Sequence, residues 1–219
     1  MIEIKLVAIY RCIWQEEIMD KEILQMIEEL QLKATIEINS IPNLDLYMDQ
    51  VITLFEDKLG HTKRHEEDKL LTKTMINNYT KDKLLMPAVK KKYTKEHILL
   101  MILLYDLKQI LMIGDIKRLF STVIKDGTVN GSLLAEIYQL FIDLKVKGAD
   151  EFEKEVEGIS NVIDAEIKNL QLEEVEGIED IEKLKNMIQV IILIEKANYY
   201  KRLAERLIDE KIDEKNILQ

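Results

Sequence analysis

Hydrophobic and polar residues alternate along this chain mostly with the period of an α-helix. Between residues 44 and 59 the apolar positions lie on one helical face, and they stop before Gly60, a residue type that often follows the last turn of a helix. The first 14 residues alternate like a strand and then merge into a helical pattern, so they fit either element. We predict a series of helices, which cover residues 15–33, 44–59, 72–83, 94–111, 114–125, 133–146 and 178–213.

Turn-forming residues divide the predicted helices into regions. Pro42 interrupts the chain at residues 39–43, and Pro87 ends the unit that begins at Thr72. The clearest turn cluster is DGTVNGS at residues 126–132. We therefore predict three regions, namely an N-terminal helical segment over 1–40, a second unit over 41–126 and a C-terminal helical region over 127–219.

Composition favours a mainly α-helical fold with a core. The chain of 219 residues has only 7 glycines and 2 prolines, and 47% of its residues are hydrophobic. Cys12 is the one cysteine, so no disulfide can form within the chain. The longest apolar run, Val190–Ile194, is far shorter than the roughly 20 residues that span a membrane. Because the N-terminus also lacks a signal-peptide pattern, we predict a cytoplasmic protein that does not enter a membrane.

Charge is divided unevenly along the chain. Residues 72–97 contain seven lysines against two acidic residues, a net charge of +5, whereas the whole chain carries −10. Residues 150–183 hold 13 acidic residues against three lysines, a net charge of −10. So basic a segment in an acidic protein indicates that this segment meets a polyanion and the rest does not. The acidic stretch should therefore face away from nucleic acid.

The basic segment begins with a predicted helix that has two different faces. Met75, Ile76 and Tyr79 fall within an arc of about 100°, which can be buried. The opposite side is cationic and rich in amides, and consists of Lys73, Thr74, Asn77 and Lys81, with Asn78 at its edge. Lysine contacts phosphate, asparagine can pair with adenine in the major groove, and a hydroxyl at the helix start, here Thr72, also suits a phosphate. An ordinary solvated helix would show the same pattern, and that alternative stays open.

This helix is followed by a short excursion that carries three consecutive lysines. Lys90–Lys92 lie between Pro87 and Tyr93, in a stretch without helical periodicity. Three like charges repel one another unless an anion is nearby. The stretch is therefore typical of a wing, a loop or hairpin laid against a phosphate backbone. The alternative is a solvated loop whose lysines prevent aggregation.

The order of these residues resembles the MerR-type winged helix-turn-helix regulators. The second helix of that family is matched by Thr72, Ile76, Tyr79, Leu84, Leu85 and Pro87. The wing and the cap of the next helix are matched by Lys91, Lys92, Tyr93 and Thr94, and the helix beneath the wing by DIKRLF at 115–120. The family has Arg-Tyr-Tyr where this chain has Asn77-Asn78-Tyr79. The resemblance covers roughly residues 43–125, and the stretch YTKDKLLMPAVKKKYTKEHILL also resembles an uncharacterised bacterial domain family of the same superfamily.

The resemblance implies a transcriptional regulator that binds a palindromic operator as a dimer. We predict a mainly α-helical protein with a MerR-like winged helix-turn-helix unit, whose partners are double-stranded DNA and a second copy of the chain. The predicted DNA-binding residues are Thr72, Lys73, Thr74, Asn77, Asn78, Lys81, Lys90, Lys91, Lys92 and Tyr93. Among them Asn77 and Asn78 are the candidates for reading bases, and Tyr93 is rather an anchor of the wing. The alternative is a non-enzymatic helical module that binds an acidic protein through the same basic surface.

Other candidate chemistry is weaker. His61 and His65 have the spacing of a helical metal pair, but no third ligand lies near, and two exposed histidines explain the pattern as well. His97 is explained by capping or packing at the start of its helix. No nucleophile with a neighbouring base and no glycine-rich phosphate loop is visible, so we predict no enzyme, cofactor or metal site. The apolar residues of the last helix fit an intramolecular core and a dimer interface equally well.

Overall fold

The computed structural model describes residues 21–171 and 180–212. These residues are mainly α-helical, which confirms the predicted fold class at that level. The helices are α1 (residues 21–29), α2 (Met48–Leu59), α3 (Lys73–Lys81), α4 (Lys95–Leu107), α5 (Ile113–Phe120), α6 (Gly131–Asn169) and α7 (Ile181–Leu207). The predictions for the first 14 residues, for Cys12, and for the outer ends of the helices over 15–33 and 178–213 lie outside the described residues.

Within residues 21–171 and 180–212, four short strands form two separate antiparallel pairs. In the first pair β1 (Leu46–Tyr47) lies beside β2 (Lys92–Tyr93), with Tyr47 opposite Lys92. In the second pair β3 (Ile124–Lys125) lies beside β4 (Thr128–Val129). The β3–β4 pair is a tight hairpin. In the other pair, β1 lies beside β2, which follows the hairpin between Val89 and Lys92. In the described residues neither pair is part of a larger sheet.

Several predicted helix boundaries are wrong, each for a physical reason. The helix predicted from residue 44 begins at Met48, because Tyr47 pairs with Lys92 and caps α2 through its backbone N–H, which donates to the Gln50 side chain at 2.8 Å. Gly60 keeps a right-handed conformation (φ −55°) and opens a 3₁₀ turn at Gly60–Thr62, so it is not a left-handed cap.

Boundaries later in the chain also differ from the prediction. The helix predicted over 94–111 ends at Leu107, and the next one ends at Phe120, because Ile124–Lys125 forms a strand. The helix predicted to stop at residue 146 continues to Asn169. Gly148 inside it lowers helix stability by only about 1 kcal/mol, which tertiary packing outweighs.

The described residues fall into two compact units. We name the first the core unit, which comprises Ala34–Leu144 together with residues 197–212. Its centre is α4, which is buried on almost every side from Ile98 to Ile102 and therefore packs against several neighbours at once. The first turns of α6 contribute to the same core through Leu134, Tyr138 and Ile142, so this core extends past the turn cluster at residues 126–132.

Two long-range contacts close the core unit. The buried Tyr138 hydroxyl donates to the carbonyl of Ile36 at 2.8 Å, and burial raises the pKa of Tyr138 to about 12. Arg118 on α5 contacts Asp115 at 2.5 Å and Asp209 at 2.7 Å, and these carboxylates raise the pKa of Arg118. Asp209 belongs to a π-helical turn at Ile208–Ile212, so the C-terminal part of the described chain packs on α5.

The second unit, which we name the helical-pair unit, comprises residues 21–33 and the described part of Lys145–Lys196. Polar pairs that join α6 to α7 include Asp164–Lys185, Ser160–Gln189 and Glu155–Lys196. A residue that lies later on α7 pairs with a residue that lies earlier on α6, so the two helices run antiparallel. No helix in the described ranges has the length and hydrophobicity needed to cross a bilayer.

Candidate nucleic-acid interface

The short helix α3 has one buried face and one exposed face. Ile76 and Tyr79 are buried in the core unit, and the Lys108 ammonium lies 5.8 Å from the centre of the Tyr79 ring. The helix begins at Thr72, whose hydroxyl accepts a hydrogen bond from the backbone N–H of Met75 at 3.1 Å. The exposed face is the polar one, and it consists of Lys73, Thr74, Asn77, Asn78 and Lys81. This face is open to a ligand along the whole length of α3.

The three consecutive lysines form a tight hairpin. Val89 and Lys92 exchange backbone hydrogen bonds of 3.0 and 3.1 Å, so Lys90 and Lys91 are the two residues of the turn. Both have positive φ, 52° for Lys90 and 66° for Lys91, which is the geometry of a type I′ turn. A side chain other than Gly, Asn or Asp in this conformation costs about 1 kcal/mol or more. The two exposed lysines therefore occupy the tip of the hairpin in an unfavourable backbone conformation.

The base of this hairpin is held by β1 and α4. Lys92 pairs with Tyr47, and its ammonium lies 5.2 Å from the centre of the Tyr47 ring, a cation–π contact. Tyr93 is only 4% exposed, packs edge-on against His97 with ring centres 5.5 Å apart, and has its pKa raised by burial. Its ring is therefore an anchor of the hairpin, and we correct the list of predicted DNA contacts by removing Tyr93.

His97 fixes the loop that precedes the hairpin. Its Nδ1 accepts a hydrogen bond from the backbone N–H of Thr94 at 3.1 Å, so its Nε2–H donates to the Met86 carbonyl at 3.2 Å. Burial lowers the pKa of His97 from its usual value of 6.5, and the ring is neutral at pH 7. The sequence predicts either capping or packing for His97. In the structure its side chain caps α4 at Thr94 and also packs against Tyr93.

Residues 47–49 connect the start of α3 to the lysine hairpin. Lys73 forms an ion pair with Asp49 at 2.6 Å, and Lys92 lies on Tyr47 two residues earlier. The N-terminal turn of α3 and the hairpin therefore meet at the start of α2. We name the exposed polar residues of α3, together with Lys90–Lys92, the basic surface. Sequence reasoning missed Asp49 and Tyr47, because it placed both in the first turns of the helix predicted over residues 44–59, where no local pattern points to the hairpin.

The two histidines of the sequence pair lie in different local structures. His61 lies in a 3₁₀ turn, and the backbone N–H of His65 donates to Asp68 at 3.0 Å in the following bend. Over residues 21–171 and 180–212, no group of three or more His, Cys, Asp or Glu side chains could hold a metal ion.

Comparison with known families supports the limits of the core unit. Residues 36–141 match the profile of a domain of unknown function, DUF1836, and this match lies within Ala34–Leu144. No curated protein and no solved structure gives a significant match. The basic segment, residues 72–97, therefore lies within the residues that match this domain of unknown function.

Proposed function

We propose that the core unit is a MerR-like winged helix-turn-helix that binds double-stranded DNA and controls transcription. In this proposal α3 enters the major groove and the lysine hairpin lies on the phosphate backbone as the wing. Asn77 and Asn78 read bases. Thr72, Lys73, Thr74, Lys81 and Lys90–Lys92 contact phosphates.

The observation that carries the proposal is the conformation of the hairpin tip. Lys90 and Lys91 are held at positive φ, where lysine is disfavoured, and both side chains are exposed. Backbone strain of this kind clusters at ligand-binding and active sites, where the surrounding structure maintains it. Two adjacent cations at the end of a hairpin suit a phosphate backbone. A turn of this type without such a role favours Asn-Gly, because both residues accept positive φ.

Electrostatics gives the proposal a quantitative form. The basic surface offers five lysines, which are Lys73, Lys81, Lys90, Lys91 and Lys92. Release of counterions from about five phosphate contacts gives a slope near −4.5 in a plot of log K against log salt concentration. Affinity should then fall by about 500-fold between roughly 50 and 200 mM salt. The net charge of −10 should oppose binding wherever acidic residues approach the DNA, which restricts contact to the basic surface.

The decisive experiment compares two DNA fragments and two matched triple variants. Binding of the DNA upstream of the gene that encodes the chain, and of a scrambled fragment, is measured by fluorescence anisotropy at physiological salt. Lys90→Ala, Lys91→Ala and Lys92→Ala together should weaken both fragments about 100-fold and reduce the salt slope by about 2.7. The control replaces Lys147, Lys154 and Lys211 by alanine, which removes the same charge from exposed positions outside the basic surface. Equal loss in both triple variants would refute the assignment of the wing.

Base reading is tested separately at Asn77. Asn77→Ala should leave binding of the scrambled fragment unchanged and weaken the upstream fragment by about 1–3 kcal/mol, since the adenine contact is lost. The salt slope should not change, because Asn77 is uncharged. Equal affinity of the unmodified protein for the two fragments would contradict sequence-specific binding.

One observation favours the alternative, an interaction module for an acidic protein. Val89 and Tyr47 lie on either side of Lys92 and are 60% and 52% exposed. Apolar side chains beside cations are typical of protein interfaces as well as of wings. A protein that binds neither fragment at physiological salt, yet binds an acidic peptide through Lys90 and Lys91, would support this alternative.

A further inference from the structure

A cavity of about 230 Å³ lies between three helices of the core unit, α4, α5 and α6. Protein interiors seldom contain voids larger than a water molecule, because atoms beside an empty space lose contacts. This volume exceeds that of a water molecule many times, and we name it the three-helix cavity. Its apolar walls include Leu103, Leu107, Leu119, Phe120, Leu134 and Phe141.

The cavity reaches the surface between α5 and α6. Thr122, which follows α5, and Ile137 on α6 are its exposed lining residues, and the others are buried or half-buried. A small molecule can therefore enter from solvent and become largely enclosed. All the lining residues lie between positions 103 and 141, inside the stretch that matches DUF1836. The cavity is thus formed entirely by this domain.

The polar side chains of the lining give the cavity a negative charge. Among the described residues that line it, Asp106 on α4 is the charged one, and it is half-buried. The Thr122 hydroxyl is already used, since it donates to the Leu119 carbonyl at 2.8 Å. Asp106 also interacts within the protein, but the two oxygens of a carboxylate offer about four acceptor sites, so a further donor can bind. Its charge extends into the core, where it adds to the effect of burial in raising the pKa of Tyr138.

Volume and charge together define the chemical class of the occupant. An aliphatic cavity of about 150 Å³ binds benzene, so the three-helix cavity has room for about nine non-hydrogen atoms. A helix from a partner, about 10–12 Å across with its side chains, is too large. An anion would be repelled by Asp106, and a pure hydrocarbon would remove water from the carboxylate without offering it a donor. An ammonium group on an apolar body satisfies the walls and the carboxylate at once.

From the volume, the apolar walls and the carboxylate, we infer that the three-helix cavity binds a small organic ammonium ion. The apolar body lies between the helices, and the charged end contacts Asp106. This inference uses only residues 103–141, and it does not depend on the proposal for the basic surface.

The first test compares three probes of similar size and different charge. 2-Phenylethylamine is a cation at neutral pH, 2-phenylethanol is neutral and phenylacetate is an anion. Each is titrated into the full chain labelled at leucine and isoleucine methyl groups, and methyl chemical shifts are followed by NMR. The amine should bind with a Kd of about 0.1–1 mM and shift the methyl signals of Leu103, Leu119 and Leu134. The alcohol should bind about 10-fold more weakly, and phenylacetate should not bind measurably.

The second test fills the cavity. Ile137→Phe places a larger side chain at its mouth and should weaken the amine and the alcohol by about 10-fold or more. Leu140→Phe is the matched control, since Leu140 on the same helix is exposed and lies outside the lining, and both affinities should stay unchanged. Val123→Leu adds one methylene to the lining and should weaken the amine by about 3-fold, which keeps the test valid if Ile137→Phe misfolds. Far-ultraviolet circular dichroism checks the helix content of all three variants.

The third test removes the charge of the lining. Asp106→Asn keeps the shape of the side chain and should weaken the amine by about 10-fold, because the charge-assisted hydrogen bond is lost. The affinity of the neutral alcohol should change by less than about 2-fold. Asp126→Asn changes the net charge equally at an exposed turn outside the lining, and it should leave both affinities unchanged.

Three results would overturn the inference. A wild-type chain that binds none of the probes up to about 10 mM has no such site. Amine binding that survives both Ile137→Phe and Val123→Leu, in folded variants, lies outside the three-helix cavity. Equal affinity for the amine and the alcohol, or equal behaviour of Asp106→Asn and Asp126→Asn, means that the cavity does not select a cation.

Discussion

The two tight hairpins of the core unit have nearly the same backbone and very different sequences. Asp126 and Gly127 form the turn between β3 and β4 with φ values of 51° and 74°, and Lys90 and Lys91 form the other turn with φ values of 52° and 66°. Asp-Gly is among the residue pairs that this turn favours, whereas Lys-Lys is not. The first turn is therefore explained by its own conformation, and the second is not. In the proposed function, the two lysines are kept at the turn because they contact phosphate.

The strongest way to break this comparison is to give the lysine hairpin the sequence of a favourable turn. Lys90→Asn with Lys91→Gly should raise the free energy of unfolding by about 1–2 kcal/mol, since both residues accept positive φ. The same change should weaken DNA binding by about 30- to 100-fold and reduce the salt slope by about 1.8. Urea denaturation and fluorescence anisotropy measure the two effects. A variant that is more stable and binds equally well would leave the strained lysines without a role.

The converse exchange should affect stability alone. Asp126→Lys with Gly127→Lys should lower the free energy of unfolding by about 1–2 kcal/mol, because both lysines would adopt positive φ. DNA affinity should change by less than about 3-fold although the net charge rises by three, since this hairpin is not part of the basic surface. Thermal or urea denaturation, together with anisotropy, provides the measurement. A large gain in affinity would show that any cationic hairpin suffices.

A smaller effect is expected at Asp49, the carboxylate that is paired with Lys73 at the start of α3. Asp49→Asn should tighten DNA binding by about 3- to 10-fold at low salt, because Lys73 loses its exposed ion-pair partner and a negative charge leaves the surface. Stability should change by less than about 0.5 kcal/mol, as is usual for exposed pairs. Asp57→Asn on the same helix is the matched control. Equal changes at Asp49 and Asp57 would mean that only the net charge matters.

The smallest effect concerns the histidine that holds the base of the lysine hairpin. Because the pKa of His97 is lowered in the folded state, the unfolded chain takes up the proton first as the pH falls below about 6.5. His97 therefore contributes stability above that pH and loses it as the pH falls, by at most about 1.4 kcal/mol per pH unit. His97→Gln should flatten the stability profile between about pH 7.5 and 5.5. Urea denaturation of the wild-type chain and of His97→Gln across this range checks the prediction.

Local sequence patterns predicted the parts of the site that are governed by local rules. The helix from Thr72, its buried Ile76 and Tyr79 and its exposed polar face follow from helical periodicity and a hydroxyl cap. The excursion at Lys90–Lys92 was expected, because the stretch breaks the helical period. The contacts of these residues with DNA stay predictions that the experiments above test.

The parts that escaped prediction depend on residues distant in sequence. The strand at Leu46–Tyr47 is too short to show an alternating pattern, and it forms only because Lys92–Tyr93 pairs with it. Asp49 meets Lys73 because α2 and α3 contact each other, although the two residues are distant in sequence. The length of α6 was underestimated because Gly148 and the acidic residues after it resemble a break, whereas packing on α7 keeps the helix intact.

The ion pair between Arg118 and Asp209 has a consequence for the newly made chain. The two residues are 91 positions apart, so Arg118 leaves the ribosome long before its second carboxylate is synthesised. At ordinary rates of translation this interval lasts roughly 5 to 20 s, far longer than a small helical unit needs to fold. The lysine hairpin and α3 can therefore reach their final form while α5 still awaits its C-terminal neighbour. A nascent chain can therefore expose the cations of the basic surface before the turn at Ile208–Ile212 has docked on α5.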